Sequence, residues 1–252
     1  MLSYVYGKNV GLAVIEGHKT IHKVYLSAGV YSGQWKTLIK EHKLNYEIVD
    51  KRELDKLSDN ANHQGIVLAI EEYGTCSLEE LMAEKPHDGQ SLLVMLDGIQ
   101  DPHNLGAILR NCDGAAALGV IIAKHRRAPL NATVAKVSSG AIDSVKVAEV
   151  SNLNQAIRQL KKAGYWIVGC DAQGEDLYKQ EYDKPIVLVI GAEGKGISRL
   201  VKENCDYLFS LPMKGKVTSL NAAVASGIAM YQIQHQRSLC QARNGDNVRS
   251  RE

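Results

Sequence analysis

The stretch Leu211-Pro-Met-Lys-Gly-Lys-Val-Thr-Ser-Leu-Asn221, continued by Ala222-Ala-Val-Ala-Ser-Gly-Ile-Ala-Met230, decides how the chain is read. It follows an apolar run from Tyr207 to Leu211 that predicts a buried strand. Pro212 ends that strand because proline has no N–H for the sheet ladder. The Lys-Gly-Lys turn then leads into a helix for which Thr218 or Ser219 can supply the cap. Ala222, Ala223, Ala225, Ser226, Gly227 and Ala229 leave that helix little side chain on any face, so another segment must pack very close to it. The run is too short and too punctuated to span a membrane. One cap needs one polar side chain, which leaves Ser219 and Asn221 over as candidates for chemistry.

Upstream, the same strand-loop-helix pattern repeats. Leu92 to Leu96, Val120 to Ala123, Val145 to Val147, Tyr165 to Cys170 and Ile186 to Ile190 are apolar or extended runs. Gly106 to Leu118, Asn131 to Ser139, and a segment capped by Ser151 and ended by Gly164, read as helices. This alternation predicts an α/β domain with a mostly parallel sheet covered on both faces. Sites in such sheets form where loops leave the carboxyl ends of strands.

Two more loops of that kind stand out. In Asp97-Gly-Ile-Gln-Asp-Pro-His-Asn-Leu-Gly-Ala-Ile-Leu-Arg110, Pro102 fixes the turn and Asn104 can cap the helix that carries Arg110. The plain alternative is a cap followed by a surface arginine. In Val189-Ile-Gly-Ala-Glu-Gly-Lys-Gly-Ile-Ser198, three glycines let backbone amides approach a ligand, and Glu193 sits among them. The spacing of Gly191, Gly194 and Gly196 is neither Gly-x-Gly-x-x-Gly nor a phosphate loop ending in Gly-Lys-Ser, and a carboxylate there repels phosphate. A dinucleotide site is thereby disfavoured, while a tight turn remains the structural alternative.

The front of the chain, residues 1 to 71, reads as a small α/β unit. Its helices are Val10 to Ile15, Gln34 to His42 and a segment from Lys51 to Leu57 capped by Asp50; its strands are His22 to Leu26, Tyr46 to Val49 and Ile66 to Ile70. Residues 72 to 90 turn polar, with a capping box at Ser77 and Glu80, and read as a linker. With 252 residues, 45% of them hydrophobic, the chain can bury its own core. The net charge of +2 permits RNA binding without requiring it. Five scattered cysteines with no Cys-x-x-Cys pair suggest neither a zinc site nor a disulfide framework. No signal core or long apolar run is present, and a soluble cytoplasmic protein is expected.

Taken together, Asp101-Pro-His-Asn-Leu-Gly-Ala-Ile-Leu-Arg110, Ile190-Gly-Ala-Glu-Gly-Lys-Gly196 and Leu211-Pro-Met-x-Gly-x-Val-x-Ser-Leu-Asn221 resemble the three motifs of the SpoU (TrmH) 2′-O-methyltransferases of the SPOUT class, in the same order and context. Tyr6-Gly, His63-Gln-Gly and the short front unit resemble the substrate-binding domain, similar to ribosomal protein L30e, of family members that methylate a guanosine ribose in 23S rRNA. The resemblance spans roughly residues 4 to 237. It implies an L30e-like domain over 1–71, a linker over 72–90, a catalytic domain with a trefoil knot over 91–237, and a disordered tail over 238–252. It further implies S-adenosylmethionine held by Gly191, Leu211 and Leu220, with Ile190, Gly194, Met213 and Ser219 nearby. Asn104, Arg110, Glu193, Ser219 and Asn221 are the implied catalytic set. Arg110 is expected to hold the phosphate or polarise the hydroxyl with Glu193 paired to it, because a guanidinium keeps its proton up to about pH 12; Arg110 as proton acceptor stays open. No metal is implied, and the partners are 23S rRNA and a second copy of the chain through the knotted domain. Relatives with nearly the same motifs act on tRNA or other rRNA sites, and a non-catalytic RNA-binding or assembly protein could keep the fold. Ala222-Ala-Val-Ala-Ser departs from the family's usual Val-Ser-Val-Ala by moving one hydroxyl along the helix.

Overall fold

Apolar runs and their caps set most element boundaries in the computed structural model, which describes residues 2–16, 20–71, 73–86, 90–180 and 182–249. In order, the elements are β1 (Leu2–Tyr6), α1 (Lys8–Glu16), β2 (Ile21–Leu26), α2 (Gly33–Glu41), β3 (Tyr46–Ile48), α3 (Lys51–Leu57), β4 (Ile66–Glu71), α4 (Leu78–Met82), β5 (Leu92–Asp97), α5 (Pro102–Gly114), β6 (Gly119–Ala123), α6 (Ala132–Ser138), α7 (Ala141–Ser144), β7 (Lys146–Val150), α8 (Leu153–Lys162), β8 (Trp166–Asp176), β9 (Ile186–Gly191), α9 (Arg199–Glu203), β10 (Tyr207–Ser210) and α10 (Ala222–Arg249). They form two units, Met1–Gly74 with Leu130–Gly140, and Thr75–Pro129 with Ala141–Glu252. Among the described residues, no helix is long and apolar enough to cross a membrane.

Unit 1 is built on a sheet of order β1-β4-β2-β3, with β4 antiparallel to both neighbours and β2 parallel to β3. Ile66 through Ile70 of β4 are all buried, which is why that strand reads as a continuous apolar run without alternation. Asp50 caps α3 as expected, its Oδ1 accepting the Glu53 N–H at 2.9 Å. β1 was not foreseen: Leu2, Tyr4 and Tyr6 face outward around buried Val5, a half-buried edge pattern with few residues to show it. Leu130–Gly140 also belongs here, with α6 packed on α1, although the sequence placed it in the catalytic domain.

Unit 2 carries an all-parallel sheet of order β10-β8-β9-β5-β6-β7. Leu92–Leu96 and Ile186–Ile190, at its centre, are buried throughout. Residues 75–86, read as linker, are instead part of this unit. The Cys76 N–H donates to the Val147 carbonyl at 2.9 Å, the capping box of Ser77 and Glu80 forms, and Leu78 and Leu81 join the core. Residues 72 and 87–89 of that stretch lie outside the described residues. β8 is longer than its apolar run because it makes an excursion: Gly169 pairs Leu208, yet the next β10 residue, Phe209, pairs Glu175. Gly174 sits where a Cβ would lie 2.4 Å from the Phe209 backbone, so only glycine permits that return.

The close neighbour demanded by the small residues of α10 is α5. Asn111 Nδ2 donates to the Ala223 carbonyl at 2.9 Å, and a Cβ on Gly227 would stand 3.0 Å from the same nitrogen. Farther along, Arg237 is 2% exposed and donates to the carbonyls of Gln90, Ser91, Tyr182 and Lys184 at 2.9–3.1 Å. It fastens α10 to the chain entering β5 and β9. The helix continues to Arg249, so residues 238–249 are helical where an unstructured tail was expected; 250–252 lie outside the described residues. Pro212 is the last proline of the chain, and nothing after it stops the helix outright.

Arg237→Met leaves buried carbonyls without their donor, and a loss of about 2–4 kcal/mol in urea unfolding is expected. A change below about 0.5 kcal/mol would show that this anchor does not hold the helix.

Candidate active site

Three loops at the carboxyl edge of the unit 2 sheet converge. The first leaves β5 at Asp97, whose Oδ2 accepts the Ser198 N–H at 2.7 Å and so ties this loop to the one after β9. Asp101 caps α5, accepting the His103 N–H at 2.9 Å, with Pro102 in the opening turn. Proline has the helical φ and no N–H to satisfy, so the helix begins there and not at Gly106. The cap expected of Asn104 is thus supplied by Asp101, and Asn104 is released to reach across.

The second loop leaves β9 at Gly191, where a Cβ would lie 2.1 Å from the Gly196 carbonyl carbon. Glycine alone allows the chain to fold back so that the Gly196 N–H meets the Ala192 carbonyl at 2.7 Å. Gly194 and Gly196 hold φ of +73° and +64°, and between these constraints the turn displays Glu193.

The third loop, residues 211–220, ends at Asn221. Its Oδ1 accepts the N–H groups of Ala223 and Val224 at 3.0 and 3.2 Å, making it the cap of α10. The cap is therefore neither Thr218 nor Ser219, which sit too far ahead of the first helical residue. Ser219 makes no side-chain hydrogen bond among the described residues.

Glu193 joins all three. Its Oε1 accepts Asn104 Nδ2 at 2.9 Å and Asn221 Nδ2 at 2.5 Å, while Asn221 Nδ2 also reaches Asn104 Oδ1 at 2.8 Å. The Ala222 N–H points to the same carboxylate oxygen at 3.4 Å. Arg110 stands apart: it is exposed and makes no hydrogen bond or ion pair among the described residues. The pairing of Glu193 with Arg110 does not form. Helix geometry explains this, since Arg110 lies about 9 Å along and about 120° around α5 from Asn104. Asn111, nearly in line with Asn104, faces α10 instead; that seven-residue spacing was the signal that could have found it.

Beside the cluster lies a cavity of about 700 Å³. Ile190, Gly191, Glu193, Gly194, Leu211, Met213, Ser219 and Leu220 line it, as do Ala222 and Ala225 from the small-residue helix. Asn104, Arg110 and Asn221 do not. The β8 excursion supplies Cys170, Asp171 and Ala172 to the wall, a contribution invisible in the sequence. Burial pushes the Cys170 thiol up to about 11, so it is an uncharged wall group at neutral pH and no thiolate nucleophile.

A parallel sheet with this loop cluster at its carboxyl edge defines an α/β enzyme domain preceded by a smaller α/β unit. The SpoU rRNA Methylase family model matches residues 91–231, and the model for RNA 2′-O ribose methyltransferase substrate binding matches residues 4–76. The chain belongs to the SpoU/TrmH family of RNA methyltransferases. The Bacillus subtilis protein YacO, assigned to the TrmH family of tRNA/rRNA methyltransferases, is 40% identical over 93% of this chain and 96% of its own. A Staphylococcus haemolyticus protein with the same family assignment is 43% identical over 89% of this chain and 92% of its own. The fold matches that of the SpoU methyltransferase AviRb from Streptomyces viridochromogenes, solved with the cofactor AdoMet, with a TM-score of 0.67, 24% identity, and coverage of 94% of this chain and 90% of that one.

Asn221→Ala removes both the cap of α10 and the bridge to Glu193, so a loss of about 1–3 kcal/mol in chemical denaturation is expected. Ser219→Ala, next door but unbonded, should stay within about 0.5 kcal/mol of wild type. Equal effects from the two would place the cap elsewhere.

Proposed function

We propose that the protein transfers a methyl group from S-adenosylmethionine to the 2′-hydroxyl of a guanosine ribose in 23S rRNA. The observation that carries this reading is the tie of Asn104 and Asn221 to Glu193, which itself lines the unit 2 cavity. The cavity suits the cofactor chemically. Leu211, Met213 and Leu220 offer apolar walls for an uncharged adenine, and Gly194, with open space where a side chain would stand, admits a close backbone approach. Glu193 favours a sulfonium cation and opposes a pyrophosphate.

When bound, S-adenosylmethionine supplies a methyl group on a positively charged sulfur that leaves as a neutral thioether. The acceptor hydroxyl is a weak acid, so the protein must fix it in line and take up its hydrogen bond. Glu193 Oε1 is engaged by the protein donors, which leaves Oε2 to accept from the 2′-hydroxyl. Asn104 and Asn221 hold that carboxylate in one orientation. Arg110, exposed and without a hydrogen-bond or ion-pair partner among the described residues, is suited to grip a phosphate of the RNA chain.

Unit 1 serves as the RNA-recognising domain, and its match to the model for RNA 2′-O ribose methyltransferase substrate binding supports RNA as the substrate; the choice of 23S rRNA rests on the resemblance of this front unit to the L30e-like domain of the 23S rRNA enzymes. The tRNA alternative has support too, because relatives are described as tRNA/rRNA methyltransferases. The protein acts in the cytoplasm as a homodimer whose catalytic domain is knotted. An outward stripe of Val224, Tyr231 and Leu239 on α10 is consistent with an interface there.

Methyl transfer to unmodified 23S rRNA and to bulk tRNA, with the product nucleoside located by mass spectrometry, tests the assignment. Modification of a 23S rRNA guanosine is expected; label in tRNA alone, or in a base, would overturn it. Arg110→Ala should lower kcat/KM at least about 10²-fold with cofactor affinity unchanged. Leu220→Arg should fill the cavity and lose both.

A further inference from the structure

At the end of the unit 1 sheet where β2 and β3 finish and β4 begins, a second cavity of about 650 Å³ opens among residues 27–30, the start of α3 and residues 60–65. We propose that it is the subsite for one unstacked nucleotide of single-stranded RNA, the base entering the cavity and a neighbouring phosphate meeting Lys51. The inference rests on the reading of this protein as an RNA-modifying enzyme and names where unit 1 grips its substrate.

Four polar side chains of the lining are uncommitted. Ser27, Lys51, Asn60 and Asn62 make no side-chain hydrogen bond or ion pair among the described residues. Gln64 accepts the Lys8 N–H on Oε1 at 2.9 Å, and its amide nitrogen makes no hydrogen bond among the described residues. Asparagine and glutamine amides present donor and acceptor side by side, as the edges of nucleobases do. Val30 and Ala61, both partly exposed, add apolar surface for a flat ring, with fully buried Leu54 behind them. Asp55, the carboxylate in the lining, already accepts from His63. One lysine suits a single phosphate rather than a polyanion. The volume lies within the ~300–1,000 Å³ usual for small-ligand sites.

The wall is also rigid, as a recognition surface must be. His63, 7% exposed, accepts the Gly65 N–H on Nδ1 at 2.9 Å, so Nε2 carries the proton and donates to Asp55 Oδ1 at 3.1 Å. Gln64 is held at φ of +52°, a region strained for a residue of its kind, while Asn60 at +60° takes a conformation that asparagine tolerates. A Cβ on Gly65, at φ +81°, would meet Ser27 Oγ at 2.6 Å. Strain that the surroundings fix in place is characteristic of binding sites. One residue beyond Val30, Tyr31 stacks on Tyr46 with ring centroids 4.7 Å apart, and Tyr46 is 39% exposed. This gives the next base an aromatic surface.

The test measures equilibrium binding of a 23S rRNA fragment to full-length protein across a salt series, alongside methyl transfer to the same fragment. Asn62→Ala should weaken binding about tenfold with an unchanged salt slope, because it removes a base contact. Lys51→Ala should reduce the slope of log K against log salt by about 1. Both variants should keep cofactor affinity, and kcat at saturating RNA, within about twofold of wild type. In a second readout, 4-thiouridine placed in the fragment should crosslink within residues 27–65. Wild-type affinity and slope in both variants, or crosslinks confined to other residues, would overturn the proposal. Wild-type protein that binds the fragment through these residues yet transfers no methyl group would overturn the methyltransfer reading and support this subsite.

Discussion

A single carboxylate oxygen of Glu193 accepts amide donors from Asn104 and Asn221, residues 89 and 28 positions away in the chain. The arrangement of the carboxyl edge of the sheet depends on that contact. Loops leaving a parallel sheet have no ladder to hold them, so their relative positions are set by whatever polar groups they exchange. Asn221 is specially suited to the exchange, because its oxygen caps α10 while its nitrogen bridges outward. Leucine of similar size could do neither, and aspartate could only cap. Charge-assisted hydrogen bonds such as these are stronger than neutral ones, and they place the carboxylate before any substrate arrives.

The same contact depends on how closely α10 can lie on α5. Ala223 and Gly227 let the two helices approach until Asn111 reaches a backbone carbonyl, and that approach sets the helix start where Asn221 can reach Glu193. Arg237, far along α10, fixes the helix at the opposite edge of the sheet through carbonyls of the chain entering β5 and β9. A helix held at both ends turns small-residue packing into a defined cavity wall. This is the route from the alanine-rich stretch of sequence to a site for chemistry.

The buried strands were legible because strands covered on both faces are nearly continuous apolar runs, as Leu92–Leu96 and Ile186–Ile190 show. The three loops were legible because glycine, proline and carboxylate occur in them at constrained positions. Capping was less so: Asp101 against Asn104, Asn152 against Ser151, and Asn221 against Ser219 are neighbouring polar residues with similar capping power, and the choice is made by where the helix must start to pack. The partner of Glu193 was misjudged for a related reason, since opposite charge suggested Arg110 whereas helix phase favoured Asn104. The β8 excursion, the placement of α6 with unit 1 and the incorporation of α4 into the second core depend on long-range contacts with no local signature.

The most direct measurement of the central claim is a double-mutant cycle on Asn104→Ala and Glu193→Ala, read by urea unfolding of the full chain. Two groups that share one hydrogen-bonded cluster should show a coupling energy of at least about 0.5–1 kcal/mol, with the double variant less destabilised than the sum of the singles. Strict additivity, within about 0.3 kcal/mol, would mean that the two side chains do not act on each other and that the loops are held in place by something else.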